Sequence, residues 1–212
     1  MSDEGAQSSE TDSEKAAVLS ALVTEHFVLQ SAAGATISES GSRASIYLAA
    51  LSSGLVAIGF SSQSPSTLVI LASTVFPTVY ALGWFTVVRL VDTGIAAVVA
   101  QRRIEAIRAF YAQLSSTAAG FFPPDDERAG TLGVRYGARS VLFTTATMIG
   151  VVNSVLGGSA GAVVLSVAVH AGPAVAVPAG LVIGISSLVA AIAYQERRFS
   201  RARSVGQVKS LF

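Results

Sequence analysis

Two long stretches of the chain contain no Asp, Glu, Lys or Arg: residues 44 to 88 and residues 140 to 195. A helix needs about 20 mainly apolar residues to cross the hydrocarbon core of a bilayer, so each stretch has room for two crossings and a turn. A soluble helical core of similar apolarity would still show charged positions on an outward face, and neither stretch does. The pattern predicts an all-α polytopic membrane protein: four transmembrane helices in two hairpins, with amphipathic helices outside the membrane.

In the first hairpin, 44 to 88, Ser45–Phe60 reads as one crossing, "SSQSPS" as a turn broken by Pro65, and Thr67–Val88 as the second crossing. Pro77 lies inside that second crossing, where it removes a backbone donor and should bend the helix modestly. Trp84 precedes Arg89 by about one turn and suits the headgroup interface. In the second hairpin, 140 to 195, the crossings are expected near 141 to 156 and 175 to 194. Between them "GGSAGAVVLSVAVHAGP" is too apolar for an exposed loop and too short for a fifth crossing. A third helix extended to about Val169 is expected, an interfacial or re-entrant segment being the alternative.

Outside the spans the pattern changes to a helical period. Residues 1 to 13 are polar and acidic and read as a disordered tail. Thr11 and Glu14 have capping-box spacing, which predicts a helix start there. Residues 14 to 43 then form a cytoplasmic amphipathic helix, with Val18, Leu22, Leu29, Ala33 and Ile37 along one face and Leu19, Val23 and Phe27 beside them. Glu39 and Arg43 have the favourable order and spacing for an ion pair on a helix. In segment 89 to 139 no proline follows Arg89 before Pro123, so the second crossing should continue as helix into water. Ile104, Ile107, Tyr111 and Leu114 form its apolar stripe, and Arg102, Arg103 and Arg108 fall largely between them. The helix of 14 to 43 is the partner within the chain that could cover this stripe. "GFFPPDDERAG" predicts a turn and a new helix start with carboxylates at its positive end. Residues 196 to 212 are a basic tail with spaced apolar residues, a membrane-surface or packing helix.

Charge adds orientation. Of the 14 Lys and Arg, two precede the first span, seven lie from Arg89 to Arg139 and five follow the last span. The segments 61 to 66 and 157 to 173 have none, so the positive-inside rule places both termini and the central segment in the cytoplasm of an inner-membrane, multi-pass protein. The first 16 residues lack the basic start and apolar run of a secretory signal. Only 13% of residues are charged, about half the usual share, and the net charge is +1. A nucleic-acid binder would need clustered uncompensated cations, so none is expected.

Candidate chemistry is sparse. Cysteine is absent, which excludes disulfides, thiolate metal sites and thiol nucleophiles. His26 and His170 are too far apart in sequence for a zinc cluster, and no metal or cofactor is expected. The spans hold no acid or base for a proton relay or ion path. Asn153 is read as an interhelical hydrogen-bonding residue. Gly172, Ala176, Gly180 and Gly184 recur every fourth position and predict close helix packing, within the bundle or between subunits. Glu25 and His26 are adjacent and so point in different directions on a helix. Asp125, Asp126 and Glu127 lack the alternating spacing of a calcium loop. With no GxSxG elbow and no GxxxxGK loop, no enzyme is expected. Arg102, Arg103, Ile104, Ile107, Arg108, Tyr111 and Leu114 form a candidate cytoplasmic interaction surface. Arg197, Arg198, Arg201 and Arg203 form a candidate contact for anionic lipid, worth about 1 kcal/mol per charge near the surface.

The segments "TEHFVLQSAAGATISESGSRASIYLAALSSGLVAIGF" and "ALGWFTVVRLVDTGIAAVVAQRRIEAIRAFY" resemble a group of uncharacterised bacterial, mainly actinobacterial, four-span integral membrane proteins. The likeness covers about residues 24 to 111 and implies a four-span inner-membrane protein without implying an activity or ligand. In plan alone, cytoplasmic helices joined to short membrane hairpins are similar to membrane effectors of bacterial antiphage signalling systems. The expected role is structural or partner-binding through the cytoplasmic helices. The expected partners are membrane lipid, further copies of the chain and an unidentified cytoplasmic protein. The alternative is a channel, transporter or membrane-disrupting effector.

Overall fold

The computed structural model describes residues 3 to 114, 120 to 121 and 144 to 209, with side chains for 13 to 114, 120 to 121 and 144 to 202. Four helices carry the described chain: α1 (Asp3–Phe60), α2 (Pro65–Leu114), α3 (Thr145–Ala168) and α4 (Pro173–Lys209). Each contains a stretch long and apolar enough to cross a membrane.

The element boundaries correct several expectations. From Asp3 the acidic segment expected to be a disordered tail is helical as part of α1, and no helix starts at the predicted Thr11. Ala, Gln, Glu and Lys favour the helix, and the chain has no proline before Pro65 to stop it. α1 likewise passes through Gly41 and reaches Phe60, where the first crossing was expected to end. The short 3-10 turn Ser61–Gln63 follows, and Ser64 N–H closes it on the Ser61 carbonyl at 3.0 Å. Pro65 acts as the first residue of α2, a position where its missing N–H leaves no intrahelical bond unmade. α2 continues through Pro77 and Gly94 without a break, as expected. Around Pro77 the hydroxyls of Ser73 and Thr74 donate to the Ile70 carbonyl, and that of Thr78 donates to Thr74.

α3 is the extended third helix: it runs through the glycine-rich "GGSAG" to Ala168. Thr144 caps its start, its hydroxyl accepting from the Thr147 N–H at 3.3 Å. At its end His170 takes the left-handed conformation, φ 56°, and Ala171 N–H reaches back to the Leu165 carbonyl at 3.0 Å. Pro173 then opens α4, which absorbs the basic tail as far as Lys209. The acidic cluster Asp125, Asp126 and Glu127 and the expected entry to the second hairpin at 140 to 143 lie outside the described residues.

The chain divides into two compact units, residues 1 to 37 with 96 to 135, and residues 38 to 95 with 136 to 212. In the first, Leu29, Ala100, Ile104 and Ile107 are buried together, with Leu22, Ala33 and Tyr111 packed against them. Leu22, His26, Leu29, Ala33 and Thr36 alternate steps of four and three residues, as do Ala97, Ala100, Ile104, Ile107 and Tyr111. That alternation is the seam of a coiled-coil pair. The buried line of α1 therefore differs from the predicted one, because Val18 and Ile37 are exposed.

The second unit buries polar as well as apolar side chains. Its core groups Tyr47, Val79, Val87, Leu90, Val91, Ala146, Ile149 and Leu156, but Thr86, Thr147, Asn153, Ser154, Ser187 and Gln195 are buried as well. Ile70, Phe85, Met148, Leu181 and Ile185 are all more than 60% exposed. Water would drive such side chains inward, whereas lipid tails are as apolar as they are and exert no such force.

Candidate functional site

The small-residue crossing is built from both α3 and α4. A Cβ on Gly158 would lie 2.7 Å from the Gly180 carbonyl oxygen, and one on Gly180 would lie 2.6 Å from that of Gly158. A Cβ on Gly184 would lie 3.0 Å from the Ser154 carbonyl oxygen. The helices run antiparallel here, and only glycine lets their backbones meet. Of the predicted residues, Gly180, Gly184 and the buried Ala176 lie on α4, while Gly172 precedes the helix with open space where a Cβ would project. The matching stripe on α3, Ser154, Gly158 and Ala162, has the same four-residue step and was legible in the sequence, although the α4 stripe alone drew attention. Beside the crossing lies a groove of about 330 Å³, lined among others by Val151, Val155, Val177, Leu181 and Ile185.

Polar pairs tie the interior of the second unit. Tyr47 donates to Asn153 Oδ1 at 3.3 Å, so Asn153 bonds between helices as expected. The Asn153 amide occupies the space that a Cβ on Gly83 would need. The hydroxyls of Tyr80 and Ser187 lie 3.0 Å apart, and the Tyr80 ring rests where a Cβ on Gly157 would project. Thr144 and Thr147 donate to Gln195 Oε1 at 3.3 and 3.1 Å. Sequence reading missed this last group, since a glutamine beside a charged run looks like part of a solvated helix end.

Ion pairs cluster where the uncharged stretches end. Glu39 Oε1 accepts from Arg43 Nε at 2.9 Å and from Arg89 Nε at 3.2 Å. These bonds, that of Arg43 first, hold the Glu39 carboxyl below its usual range, although desolvation works against them. Arg198 pairs with Asp92, which raises the guanidinium pKa. Of the other cations predicted to meet anionic lipid, Arg197 and Arg201 are exposed, and the side chain of Arg203 lies outside the described residues.

In the first unit Ile104 and Ile107 are covered, Tyr111 is half-buried and Leu114 is 52% exposed. Arg102 and Arg103 are exposed and Arg108 is half-buried. The predicted stripe is thus mostly closed by α1, and the open apolar surface lies elsewhere. Val23 is 61% exposed and Phe27 and Ile37 are each 73% exposed. Glu25 is exposed and the half-buried His26 places Nε2 3.0 Å from the Gln30 amide, so the two neighbours do not face each other. Among the described residues no group of three His, Asp or Glu side chains is placed to hold a metal.

The fold and these surfaces define an all-α protein whose four long apolar helices fit a multi-pass membrane protein. Comparison with protein-family models, curated proteins and solved structures finds no match to this chain.

Proposed function

We propose that this chain is a multi-pass inner-membrane protein that binds a partner through the helices of its first unit, the partner being a second copy of itself. The observation that carries the reading is the open stripe of Val23, Phe27 and Ile37 on α1, which flanks the closed Leu29–Ile104 seam. A helix in water that keeps large apolar groups uncovered has a further surface to bury. Residues 16 to 38 contain a single charged side chain, Glu25, so two copies of this face meet with little repulsion. The distribution of Lys and Arg supports a cytoplasmic location for this unit and for both termini. The resemblance to four-span actinobacterial proteins agrees with the same arrangement.

The chain has no cysteine, so Phe27→Cys introduces the only thiol. Oxidation in native membranes is expected to give a disulfide-linked dimer from Phe27→Cys and none from Arg102→Cys. Monomer alone from Phe27→Cys would remove the reading.

A second reading, a channel, transporter or membrane-disrupting effector, draws on the buried pairs Tyr47–Asn153 and Tyr80–Ser187 within apolar helices. Ion or dye flux through liposomes holding the purified chain separates the two. Flux above that of empty liposomes favours the second, and sealed liposomes favour the first.

A further inference from the structure

Gln195 ends the uncharged run of 140 to 195 and is 1% exposed, yet its Nε2 has no hydrogen-bond partner. Its Oε1 accepts from Thr144 and Thr147, which fixes the amide against the first turn of α3. Thr144 already takes the Thr147 and Met148 N–H groups at the start of that 24-residue helix, and the helix dipole places positive charge there. One turn further along the same face of α4 lies Arg198. It gives Nη2 to Asp92, but its Nε is buried and also without a partner. Two unmet donors beside a positive helix end call for an acceptor, and the charge calls for an anion. Asp92 is already engaged by Arg198, and Glu196 is exposed and turned to a different face.

We propose that Thr144, Thr147, Gln195 and Arg198 form a binding site for a phosphate group, its oxygens accepting from Gln195 Nε2 and Arg198 Nε. The site sits at the junction of the uncharged run with Glu196, Arg197 and Arg198, the level at which phospholipid headgroups meet a spanning helix. A lipid phosphate and free phosphate present the same oxygens, and the experiment distinguishes them. It does not depend on the partner-binding reading, because every group involved belongs to the second unit.

The test uses the full chain in nanodiscs of zwitterionic lipid, with unfolding followed by the fluorescence of Trp84, the one tryptophan. One arm adds phosphatidylglycerol to the discs, and the other adds inorganic phosphate at constant ionic strength. The wild type is expected to gain thermal stability in a saturable way in one arm, which identifies the source. Gln195→Met and Arg198→Lys, which remove one donor each, are expected to raise the half-saturating concentration about tenfold or more. Arg102→Gln, an exposed cation of the first unit, is expected to respond as the wild type does. The proposal is overturned if neither arm stabilises the wild type, if both donor variants respond as fully as the wild type, or if Arg102→Gln abolishes the response equally. Should Gln195→Met not fold, Arg198→Lys carries the test together with native mass spectrometry of the wild type. A retained phospholipid or phosphate adduct supports the site, and bare protein overturns it.

Discussion

The two units differ in what they bury beside their apolar residues. Between residues 13 and 37 and between 96 and 114, Leu29, Ile104 and Ile107 are inside while Arg102 and Arg103 are outside. Between 38 and 95 and between 144 and 202, Asn153, Ser154, Ser187 and Gln195 are inside while Phe85, Leu181 and Ile185 are outside. The same twenty side chains are being sorted by two different rules. In water the apolar stripe decides which face is buried. In lipid apolarity cannot decide, so glycine contacts and hydrogen bonds between helices do. One uninterrupted helix, α1, contributes to both units, so the change of rule needs no change of secondary structure.

The contrast can be broken most directly at its apolar positions. Ile104→Ala, at 3% exposure, is expected to cost about 2–5 kcal/mol, read by protease resistance and denaturant unfolding. Ile185→Ala, at 61% exposure, should change stability by less than about 0.5 kcal/mol. Equal losses at the two positions would erase the distinction. The complementary change is Gly158→Val, whose Cβ must displace the Gly180 carbonyl, at a cost of about 1–3 kcal/mol in detergent unfolding. Gly59→Val, with nothing within 4 Å, should lose none of this packing. A smaller effect is expected of Asn153→Leu, which keeps the volume but removes the acceptor for Tyr47. A loss of about 0.6 kcal/mol, and at most about 1.7, is the expected range for such a bond between helices in a bilayer.

The smallest effect concerns Glu39. Its folded-state pKa lies below the ordinary value of 4.5, so the stabilisation it contributes is complete above that pH. It fades as the pH falls through the lowered folded value. Thermal unfolding of the wild type should therefore lose more on acidification than that of Glu39→Gln, and the two curves should differ least at the acid end. Parallel curves would mean that the pairs with Arg43 and Arg89 contribute nothing measurable, as many exposed ion pairs do.

The seam on α1 shows how far the sequence could be read. Val18, Leu22, Leu29, Ala33 and Ile37 are compatible with one broad apolar face, but the seam takes Leu22, Leu29 and Ala33 and leaves Val18 and Ile37 open. A face wider than its partner gives several registers of similar apolarity. The side chains of α2 selected among them. Gln195 teaches a harder lesson. Its single letter beside Glu196, Arg197 and Arg198 looks solvated, yet it is buried and bonded to Thr144 and Thr147 at the start of α3.

What the sequence determined by itself is which segments are apolar enough for lipid. Residues 44 to 88 and 140 to 195 lack charge altogether, and an uncharged helix of that length is compatible with lipid whatever it later touches. The absence of proline before Pro65, and between Pro77 and Pro123, likewise allows the length of α1 and α2. Only the tertiary structure decided which residues meet: Gly158 with Gly180, Tyr47 with Asn153, Gln195 with the start of α3. Within an apolar span every face is equally welcome in lipid. Direction is therefore set by where a backbone can approach closely and where a hydrogen bond finds its mate, and neither is written in any one helix.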